Sequence, residues 1–316
     1  MREPLPTPLR GTTIRLLVDL PLPLTRRGDK LDSPSISDAC TKHRLKEIVN
    51  KSVKSTISVK KSVHQYIRKS VNNPPMPNDN FRFKAFTIEQ NLTAMKVGTD
   101  GVLLGAWATD MWIANASTPS PRVLDVGTGT GLIALMAAQK IPDASIVAID
   151  IDSSAVEQAR HNILASPWND RVEVLPTSLQ DFTTPHKFHL ILSNPPYFIN
   201  SQKCPDAQRT LARHADSLPL STLMKCATTL LTADGCLAIV LPAEAQKEAD
   251  KWAAIYGLFL NRCVNIKTKN SKPVKRCLLA YRQTPPQSVS IETRTLLSTD
   301  NNRSEWYNAL TDDFYL

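Results

Sequence analysis

The chain has 316 residues, 42% of them hydrophobic and 21% charged, with a formal net charge of +9 at pH 7. This length suits one large domain or two smaller ones, and the apolar content is sufficient for a buried core. No stretch approaches the roughly 20 apolar residues that a membrane-spanning helix requires, so we expect no membrane partner. The six cysteines form no Cys-x-x-Cys pair and no zinc-finger spacing, which predicts reduced thiols in the cytoplasm and no bound metal.

The positive charge is concentrated in the N-terminal quarter of the chain. Residues 1–75 contain 15 Lys and Arg against 6 Asp and Glu, whereas residues 76–316 contain 23 of each and are neutral. A basic tail can attract nucleic-acid phosphates, but the net charge carries no information about the remainder of the chain.

Residues 1–75 are rich in proline, serine and lysine and have no sustained apolar periodicity, so we predict a disordered extension. The adjacent prolines Pro74 and Pro75 would interrupt any helix there. Three interpretations compete: a basic tail that binds RNA, a targeting peptide, and translation from an upstream start codon. We favour the third, with a folded domain over residues 76–316 that begins at Met76.

A glycine-rich turn, Asp125-Val-Gly-Thr-Gly-Thr-Gly131, lies between a short branched strand and a helix rich in alanine and leucine. Its glycines let the backbone approach a ligand, and the helix N-terminus supplies free N–H donors. The third glycine comes one position too early for the dinucleotide fingerprint Gly-x-Gly-x-x-Gly. An acidic residue before Gly-x-Gly-x-Gly instead favours S-adenosylmethionine, whose ammonium group Asp125 would hold directly or through water. The loop residues predicted to bind this cofactor are Gly127, Thr128, Gly129 and Gly131.

Two further strands end in polar residues. The strand over residues 145–150 ends in Asp150, whose carboxylate can accept hydrogen bonds from both ribose hydroxyls of the cofactor. Asp152 is either a second cofactor residue or the cap of the helix that follows. A third strand, residues 172–175, leads to the expected adenine site, where Ser178 or Asp181 would contact the amino group.

The stretch Asn194-Pro195-Pro196-Tyr197 follows an apolar strand over residues 188–192. An exocyclic amine is a poor nucleophile because its lone pair is delocalised. The side-chain oxygen of Asn194 and the carbonyl oxygen of Pro195 can accept both amine hydrogens and direct that lone pair. The prolines stiffen the loop, and Tyr197 offers a flat face on which the target ring can stack. The four residues together predict methyl transfer to a planar nitrogen.

A basic hairpin is predicted between Arg262 and Arg282, a stretch with seven basic residues and no acidic one. Apolar segments flank its turn at residues 270–273. The side chains expected to contact RNA phosphates are Lys267, Lys269, Lys272 and Lys275. A solvated hairpin tip without a partner is the alternative.

The remaining pattern completes the expected fold. Strands alternate with helices through the middle of the chain, which is typical of an α/β protein. Residues 288–316 predict a final strand and helix, with Trp306, Tyr307 and Phe314 available to pack onto the domain. We expect a monomer.

Three further segments are distinctive: Phe81–Phe86, Ala94–Trp107 with its Met-Lys-Val-Gly-Thr-Asp-Gly sequence, and Asp206–His214 after the Asn-Pro-Pro-Tyr loop. They resemble the corresponding segments of the bacterial tRNA1(Val) adenine-37 N6-methyltransferases. The resemblance covers about residues 76–283. It implies a Rossmann-like, seven-stranded, S-adenosylmethionine-dependent methyltransferase fold with a terminal antiparallel hairpin. It also implies N6-methylation of an adenine beside the anticodon of a tRNA.

The resemblance adds three candidate cofactor residues and leaves one contact open. In this family the segment around Lys96, Thr99 and Asp100 packs over the cofactor, which makes these residues candidates for cofactor contact or for ordering the loop. Thr99 or Asp100 could instead cap the following helix, residues 102–107. Some relatives carry Asp where this chain has Ser178, so the adenine contact stays open.

The segment after the catalytic loop supplies the other RNA candidates. Arg209 and Arg213 are expected to contact phosphates, and His214 is either a substrate contact or a packed side chain. A base in a tRNA loop need not be extracted from a duplex, so unstacking it costs less.

The same catalytic loop also serves other substrates. It occurs in enzymes that methylate DNA adenine, ribosomal RNA or a glutamine of release factors. A DNA enzyme usually carries a sizeable target-recognition domain, and none fits here. A release-factor enzyme usually carries an amphipathic helical domain, a pattern that residues 1–75 lack. The non-enzymatic alternative is an RNA-binding protein with an idle cofactor fold.

Overall fold

The computed structural model describes residues 79–93, 96–114, 118–196 and 218–316. The predicted extension over residues 1–75 lies outside these ranges. The predicted site residues Tyr197, Arg209, Arg213 and His214 lie outside them as well.

Ten strands occur in the described residues. In chain order they are β1 (Asn80–Arg82), β2 (Thr87–Glu89), β3 (Arg122–Val126), β4 (Ser145–Asp150), β5 (Val172–Pro176), β6 (Phe188–Ser193), β7 (Leu231–Pro242), β8 (Phe259–Lys267), β9 (Val274–Arg282) and β10 (Ser290–Thr295). The α-helices are α1 (Thr99–Ile113), α2 (Leu132–Lys140), α3 (Ser153–Leu164), α4 (Leu220–Leu230), α5 (Gln246–Ile255) and α6 (Glu305–Thr311). No helix in the described ranges has the length and apolar character needed to cross a membrane.

Eight strands form one twisted sheet in the order β10-β8-β9-β7-β6-β3-β4-β5, and β1 and β2 form a separate hairpin. The five strands from β7 to β5 run parallel, and β9 runs antiparallel to both β7 and β8. The predicted α/β class, Rossmann-like order and terminal hairpin are therefore confirmed. The sheet has one strand more than the seven expected, because β10 pairs in parallel with β8 and covers its outer edge.

The parallel strands bring their carboxyl ends to one edge of the sheet. Val126 at the end of β3 is aligned with Ile149 in β4 and with Ser193 at the end of β6. Chain order reverses between β3 and β6, and ligands of open α/β sheets bind in the crevice at such a switch point. The loops after these strands carry the glycine turn, Asp150 and Asn194.

Helix α1 is apolar on nearly all sides and is buried between α2 and the sheet. Gly105 permits this packing, since an added Cβ would lie 2.6 Å from Sδ and 3.1 Å from Cβ of Met136 in α2. The first turn of α1 lies beside the catalytic loop: a Cβ on Gly101 would lie 4.0 Å from Nδ2 of Asn194. The core thus fixes a helix N-terminus at the edge of the site.

The C-terminal segment packs as the sequence predicts. Phe314 is fully buried, Tyr307 is buried, and Trp306 is a half-buried neighbour of the core. This segment comprises β10 and α6, which follow the hairpin and pack onto the domain.

Candidate active site

The glycine turn after β3 has the backbone geometry that only glycine adopts without strain. Gly127, Gly129 and Gly131 have φ angles of 72°, 57° and 82°. The turn is fixed to β4 because the amides of Gly127 and Thr128 donate to the carbonyl oxygen of Ile149 over 2.9 and 3.0 Å. The turn therefore has a defined position before any ligand binds.

Asp125 is fully buried beneath this turn. Its Oδ2 accepts a hydrogen bond of 2.6 Å from Oγ1 of Thr128. Burial raises the pKa of Asp125 to about 7, although the hydrogen bond from Thr128 and the nearby Ala134 amide lower it. Among the described residues, no donor has hydrogen-bond distance and angle to Oδ1. A buried acceptor without a partner fits a nearby cation or water that the protein itself does not supply.

Asp150 at the end of β4 holds the glycine turn from the other side. Its Oδ2 accepts a 2.8 Å hydrogen bond from the Gly129 amide, and its Oδ1 accepts one of 3.0 Å from the Asp152 amide. Asp152 caps α3, since its Oδ1 accepts from the Ser154 amide over 2.8 Å. The capping interpretation of Asp152 is therefore confirmed.

Ser178 and Asp181, the two candidates for the adenine contact, bind each other. The Ser178 hydroxyl donates to Oδ2 of Asp181 over 2.7 Å and accepts from the Asp181 amide over 3.1 Å. Ser178 lines the cleft described below, whereas Asp181 does not. With its hydrogen committed to Asp181, the Ser178 oxygen retains one lone pair, so it is an acceptor toward the cleft.

The catalytic loop leaves β6 directly beside the glycine turn. Oγ of the buried Ser193 donates a 2.9 Å hydrogen bond to the carbonyl oxygen of Val126. This contact joins the last residues of β3 and β6. Asn194, Pro195 and Pro196 follow immediately at the same edge of the sheet.

One cleft of ≈590 Å³ connects the two halves of the site. This volume is within the range of small-molecule and cofactor pockets. The described residues that line it are Thr93, Val126, Gly127, Gly129, Ile149, Asp150, Ile151, Asp152, Ser153, Ala155, Thr177, Ser178, Leu179, Gln180, Asn194, Pro195, Pro196 and Leu218. Four predicted cofactor residues, Gly127, Gly129, Asp150 and Ser178, follow three different strands and thus share one cavity with the Asn-Pro-Pro loop.

Three predicted residues of the glycine turn lie behind the cleft wall. Asp125, Thr128 and Gly131 are buried and are not among the residues that line the cavity. Thr128 orients Asp125. Gly131 is the N-cap of α2, where an added Cβ would lie 3.4 Å from Cα and Cβ of Ala159. Their contribution to a ligand is therefore indirect, through the shape and charge of the turn.

The segment between β2 and α1 is held to α3 by amide side chains. Asn162 exchanges hydrogen bonds of 2.8 and 2.9 Å with the backbone of Glu89 and donates another to the glycine turn. Gln158 accepts from the Leu92 amide over 2.9 Å. Both amides are buried, and Thr93 of this segment lines the cleft. These contacts could not be predicted from the sequence, because Asn162 and Gln158 occur within an ordinary helical pattern.

The residues assigned by resemblance lie outside the described lining of the cleft. Lys96 and Thr99 are exposed. Helix α1 begins at Thr99 with Gly98 at its N-cap and no side-chain cap, so the proposal that Thr99 or Asp100 caps this helix is wrong. The carboxylate of Asp100 instead binds Nε of Arg276 over 2.7 Å.

The basic hairpin is β8 and β9, with its turn between Lys267 and Val274 as expected. Lys267 contacts the carbonyl oxygen of Asn270, and Lys269 contacts Oδ1 of Asn301. The other two lysines of the predicted set are exposed, Lys272 in the turn and Lys275 near the start of β9.

Within the described ranges, no group of three or more His, Cys, Asp or Glu side chains could hold a metal ion. The polar groups of the cleft are hydroxyl, carboxylate, amide and backbone groups. Such a set suits an organic ligand with hydroxyl and amino groups.

Known proteins resemble this chain in sequence and fold. Residues 107–251 match the model of a protein family, the Methyltransferase small domain. A tRNA1(Val) (adenine(37)-N6)-methyltransferase of Bacteroides thetaiotaomicron is 43% identical over 242 residues, which are 76% of this chain and 99% of that protein. Another, of Phocaeicola vulgatus, is 46% identical over 241 residues, again 76% and 99% of the two chains.

The fold has a counterpart among solved structures. The crystal structure of a predicted O-methyltransferase from Agrobacterium tumefaciens aligns with a TM-score of 0.51 and 16% identity, covering 68% of this chain and 96% of that one. This likeness concerns the fold, whereas the sequence relatives match over nearly their whole length. From that similarity it follows that the chain belongs to the tRNA1(Val) (adenine(37)-N6)-methyltransferase family.

Proposed function

We propose that this protein transfers the methyl group of S-adenosylmethionine to N6 of adenine 37 in a valine tRNA, the substrate class named for its relatives. The observation that carries the proposal is the single cleft shared by Asn194, Pro195 and Pro196 with Gly129 and Asp150. A cofactor at the glycine turn and a base held by Asn194 would occupy one cavity. Methyl transfer requires this proximity.

The residues of the cleft fit the cofactor. When bound, S-adenosylmethionine supplies an electrophilic methyl group on a positively charged sulfur. Asp150 would accept hydrogen bonds from the ribose hydroxyls, since its carboxylate has lone pairs beyond those used by the Gly129 and Asp152 amides. Ser178 would accept from the adenine amino group through its remaining lone pair. The partnerless Oδ1 of Asp125 would interact with the ammonium group, indirectly because Asp125 is buried behind the turn.

The catalytic loop would prepare the target amine. The Asn194 side-chain oxygen and the Pro195 carbonyl oxygen accept its two hydrogens, which localises the lone pair on nitrogen. The prolines at positions 195 and 196 restrict the backbone torsions of the loop, so the Pro195 carbonyl keeps one direction. The surplus proton of the methylated amine would pass to solvent water after the methyl group has been transferred, so no separate base is required before attack. The contribution of the protein is positioning and fixed dipoles.

The RNA would lie across the basic hairpin. Lys272 in the turn and Lys275 near the start of β9 are exposed, whereas the side chains of Lys267 and Lys269 bind Asn270 and Asn301. Phosphate contacts of this kind position the RNA but do not select the base. We also propose Tyr197 as the stacking surface, and Arg209, Arg213 and His214 as further RNA contacts, on the basis of the family resemblance.

We assign these activities to residues 76–316 acting as a monomer in the cytoplasm, where tRNA is found. The length of the aligned relatives, 242 residues, supports this domain assignment. The mass of the natively expressed protein and its elution in size-exclusion chromatography test the domain bounds and the oligomeric state.

The experiment that tests the proposed function uses labelled S-adenosylmethionine with total tRNA, total ribosomal RNA, DNA and a release factor as separate substrates. We expect label in tRNA alone, recovered as N6-methyladenosine after digestion to nucleosides. Label in ribosomal RNA, DNA or the release factor would overturn the assignment of the substrate. Cofactor binding without methylation of any of them would favour an RNA-binding protein.

A further inference from the structure

We propose that Arg276 is a positioning residue for catalysis, which acts through Asp100 to fix the first turn of α1 beside Asn194. This inference rests on the proposed function and extends it to a residue outside the cleft. Arg276 belongs to the hairpin, Asp100 to α1 and Asn194 to the catalytic loop, so the proposal connects three elements that are distant in sequence.

The ion pair has one defined geometry. Nε of Arg276 lies 2.7 Å from Oδ2 of Asp100, and Nη1 of Arg276 donates over 3.0 Å to the carbonyl oxygen of Lys275 in its own strand. The second contact orients the guanidinium group. Its donors are fixed in one plane, so a guanidinium held in this way determines where the carboxylate lies.

Arg276 is anchored at the edge of the sheet that carries the site. It is aligned with Pro242, the last residue of β7, and β7 runs parallel to β6 with Ile239 beside Ser193. Arg276 therefore lies beyond the carboxyl end of β6, on the side where Asn194 leaves the sheet. The pair ties α1 to this edge.

The first turn of α1 lies close to the catalytic loop. Gly101 follows Asp100, and a Cβ on Gly101 would lie 3.2 Å from Cδ2 of Leu132 and 4.0 Å from Nδ2 of Asn194. The N-cap of α1 makes no side-chain hydrogen bond. Because no side chain caps the helix, the position of this first turn depends on contacts with other elements. The ion pair between Asp100 and Arg276 is one of these contacts.

The pair is poorly suited to a purely stabilising role. The Arg276 and Asp100 side chains are 38% and 34% exposed, and surface pairs of this kind contribute little to the free energy of unfolding. A displacement of about 1 Å at a reacting group, in contrast, can reduce a rate by about 100-fold. The effect of the pair is therefore expected in turnover more than in stability.

A direct phosphate contact is the rival role for Arg276, because the hairpin is basic. The two roles differ in Michaelis parameters. Loss of a phosphate contact raises KM for tRNA and weakens its salt dependence, whereas loss of a positioning residue lowers kcat. The two roles also predict different effects of removing the negative charge of Asp100. If Arg276 binds phosphate, the change would aid RNA binding. If Arg276 positions α1, the change would release the first turn of α1.

The test compares Arg276→Ala, Asp100→Ala and the double variant with the wild type in tRNA methylation, with the Kd for S-adenosylmethionine measured by calorimetry. We expect each single variant to lower kcat about 10-fold or more, with both the cofactor Kd and KM for tRNA within about threefold of wild type. The double variant should be no slower than the singles. The reciprocal variant Asp100→Arg/Arg276→Asp should recover part of kcat.

Glu292→Gln is the matched control. It removes two other surface ion pairs of 2.7 Å, one with Arg262 of the neighbouring strand β8 and one with Arg294 of β10, and neither Arg262, Arg294 nor Glu292 lines the cleft. Its kcat should equal that of wild type. Hydrogen exchange of residues 99–107 adds a readout independent of activity: we expect faster exchange in Arg276→Ala and Asp100→Ala, and no change in Glu292→Gln.

Three results would overturn the proposal: unchanged kcat with raised KM in Arg276→Ala, additive losses in the double variant, or unchanged exchange in residues 99–107. An inactive wild type would refute the proposed function instead, and the exchange measurement would still decide whether Arg276 fixes α1. Thermal unfolding of every variant verifies that each one is folded.

Discussion

Ser193 donates a hydrogen bond from Oγ to the carbonyl oxygen of Val126 over 2.9 Å, within the buried core. This one contact joins the strand that leads to the glycine turn with the strand that leads to Asn194. The two halves of the proposed site, one for the cofactor and one for the amine, are therefore held together at their base.

Replacing Ser193 with alanine should weaken that connection. The change removes a buried hydrogen bond, and we expect the free energy of unfolding to fall by about 1 kcal/mol and kcat to fall several-fold. Urea unfolding and initial rates of methylation measure the two effects. Ser290→Ala, in the exposed strand β10, is the control and should change neither. Equal behaviour of both variants would show that the contact is dispensable.

Asn194→Ala should abolish turnover without preventing cofactor binding. The variant loses one of the two acceptors for the amine hydrogens, and removal of a comparable catalytic hydrogen-bonding group costs about 100- to 1,000-fold in kcat. Single-turnover rates at saturating tRNA, together with calorimetric titration of S-adenosylmethionine, separate the two properties. A loss of cofactor affinity as large as the loss of rate would mean that Asn194 serves the cofactor.

Cofactor affinity should depend on pH through Asp125. Burial raises the pKa of this carboxyl group to about 7, so in the free protein it is largely protonated below that pH. The ammonium group of the cofactor favours the ionised form, and we expect affinity to rise as pH increases from 5.5 to 7.5, with proton release on binding. Titration in buffers of different ionisation enthalpy measures the released protons.

The stability of the free protein should show the opposite dependence. Because the pKa of Asp125 is higher in the folded protein than the ordinary value of 3.8, folding favours the protonated form, and its contribution to stability is lost as pH rises toward about 7. Asp125→Asn should flatten the pH dependence of both affinity and unfolding. The same slopes in wild type and Asp125→Asn would assign them to another group.

Ser178 should determine preference for an amino group on the cofactor base. Its hydroxyl hydrogen is committed to Asp181, which leaves only an acceptor toward the cleft. Ser178→Ala should therefore bind S-adenosylhomocysteine about 2- to 10-fold more weakly, with little change for the hypoxanthine analogue. Competition binding with the two compounds measures this ratio. Gln180→Ala, which alters another residue of the cleft lining, should keep the preference of wild type.

The local motifs of the site could be predicted from sequence, because each depends on residues that are close along the chain. Glycines with positive φ, the acidic end of β4 and the Asn-Pro-Pro turn all follow directly after strands. Parallel strands then bring these ends to one edge, which is a general property of the fold. The cleft that contains Gly129, Asp150 and Asn194 is the result.

Long-range contacts could not be predicted in this way. Asp100 and Arg276 are 176 positions apart, and neither belongs to a pattern that identifies the other. Sequence periodicity also gave no reason to distinguish Asp125, buried behind the turn, from Asp150 in the cleft wall. That difference arises because β3 is central in the sheet and covered on both faces. The pairing of β10 with β8 likewise depends on an edge that forms only in the folded sheet.

The most direct test of the account is methylation of two transcripts of the valine tRNA that differ only at position 37, one with adenine and one with guanine. With labelled S-adenosylmethionine we expect N6-methyladenosine in the first transcript and no label in the second, and labelling of the first at least about 100-fold slower with Asn194→Ala. Equal labelling of the two transcripts, or label in a different nucleoside, would contradict the assignment of this cleft to adenine 37.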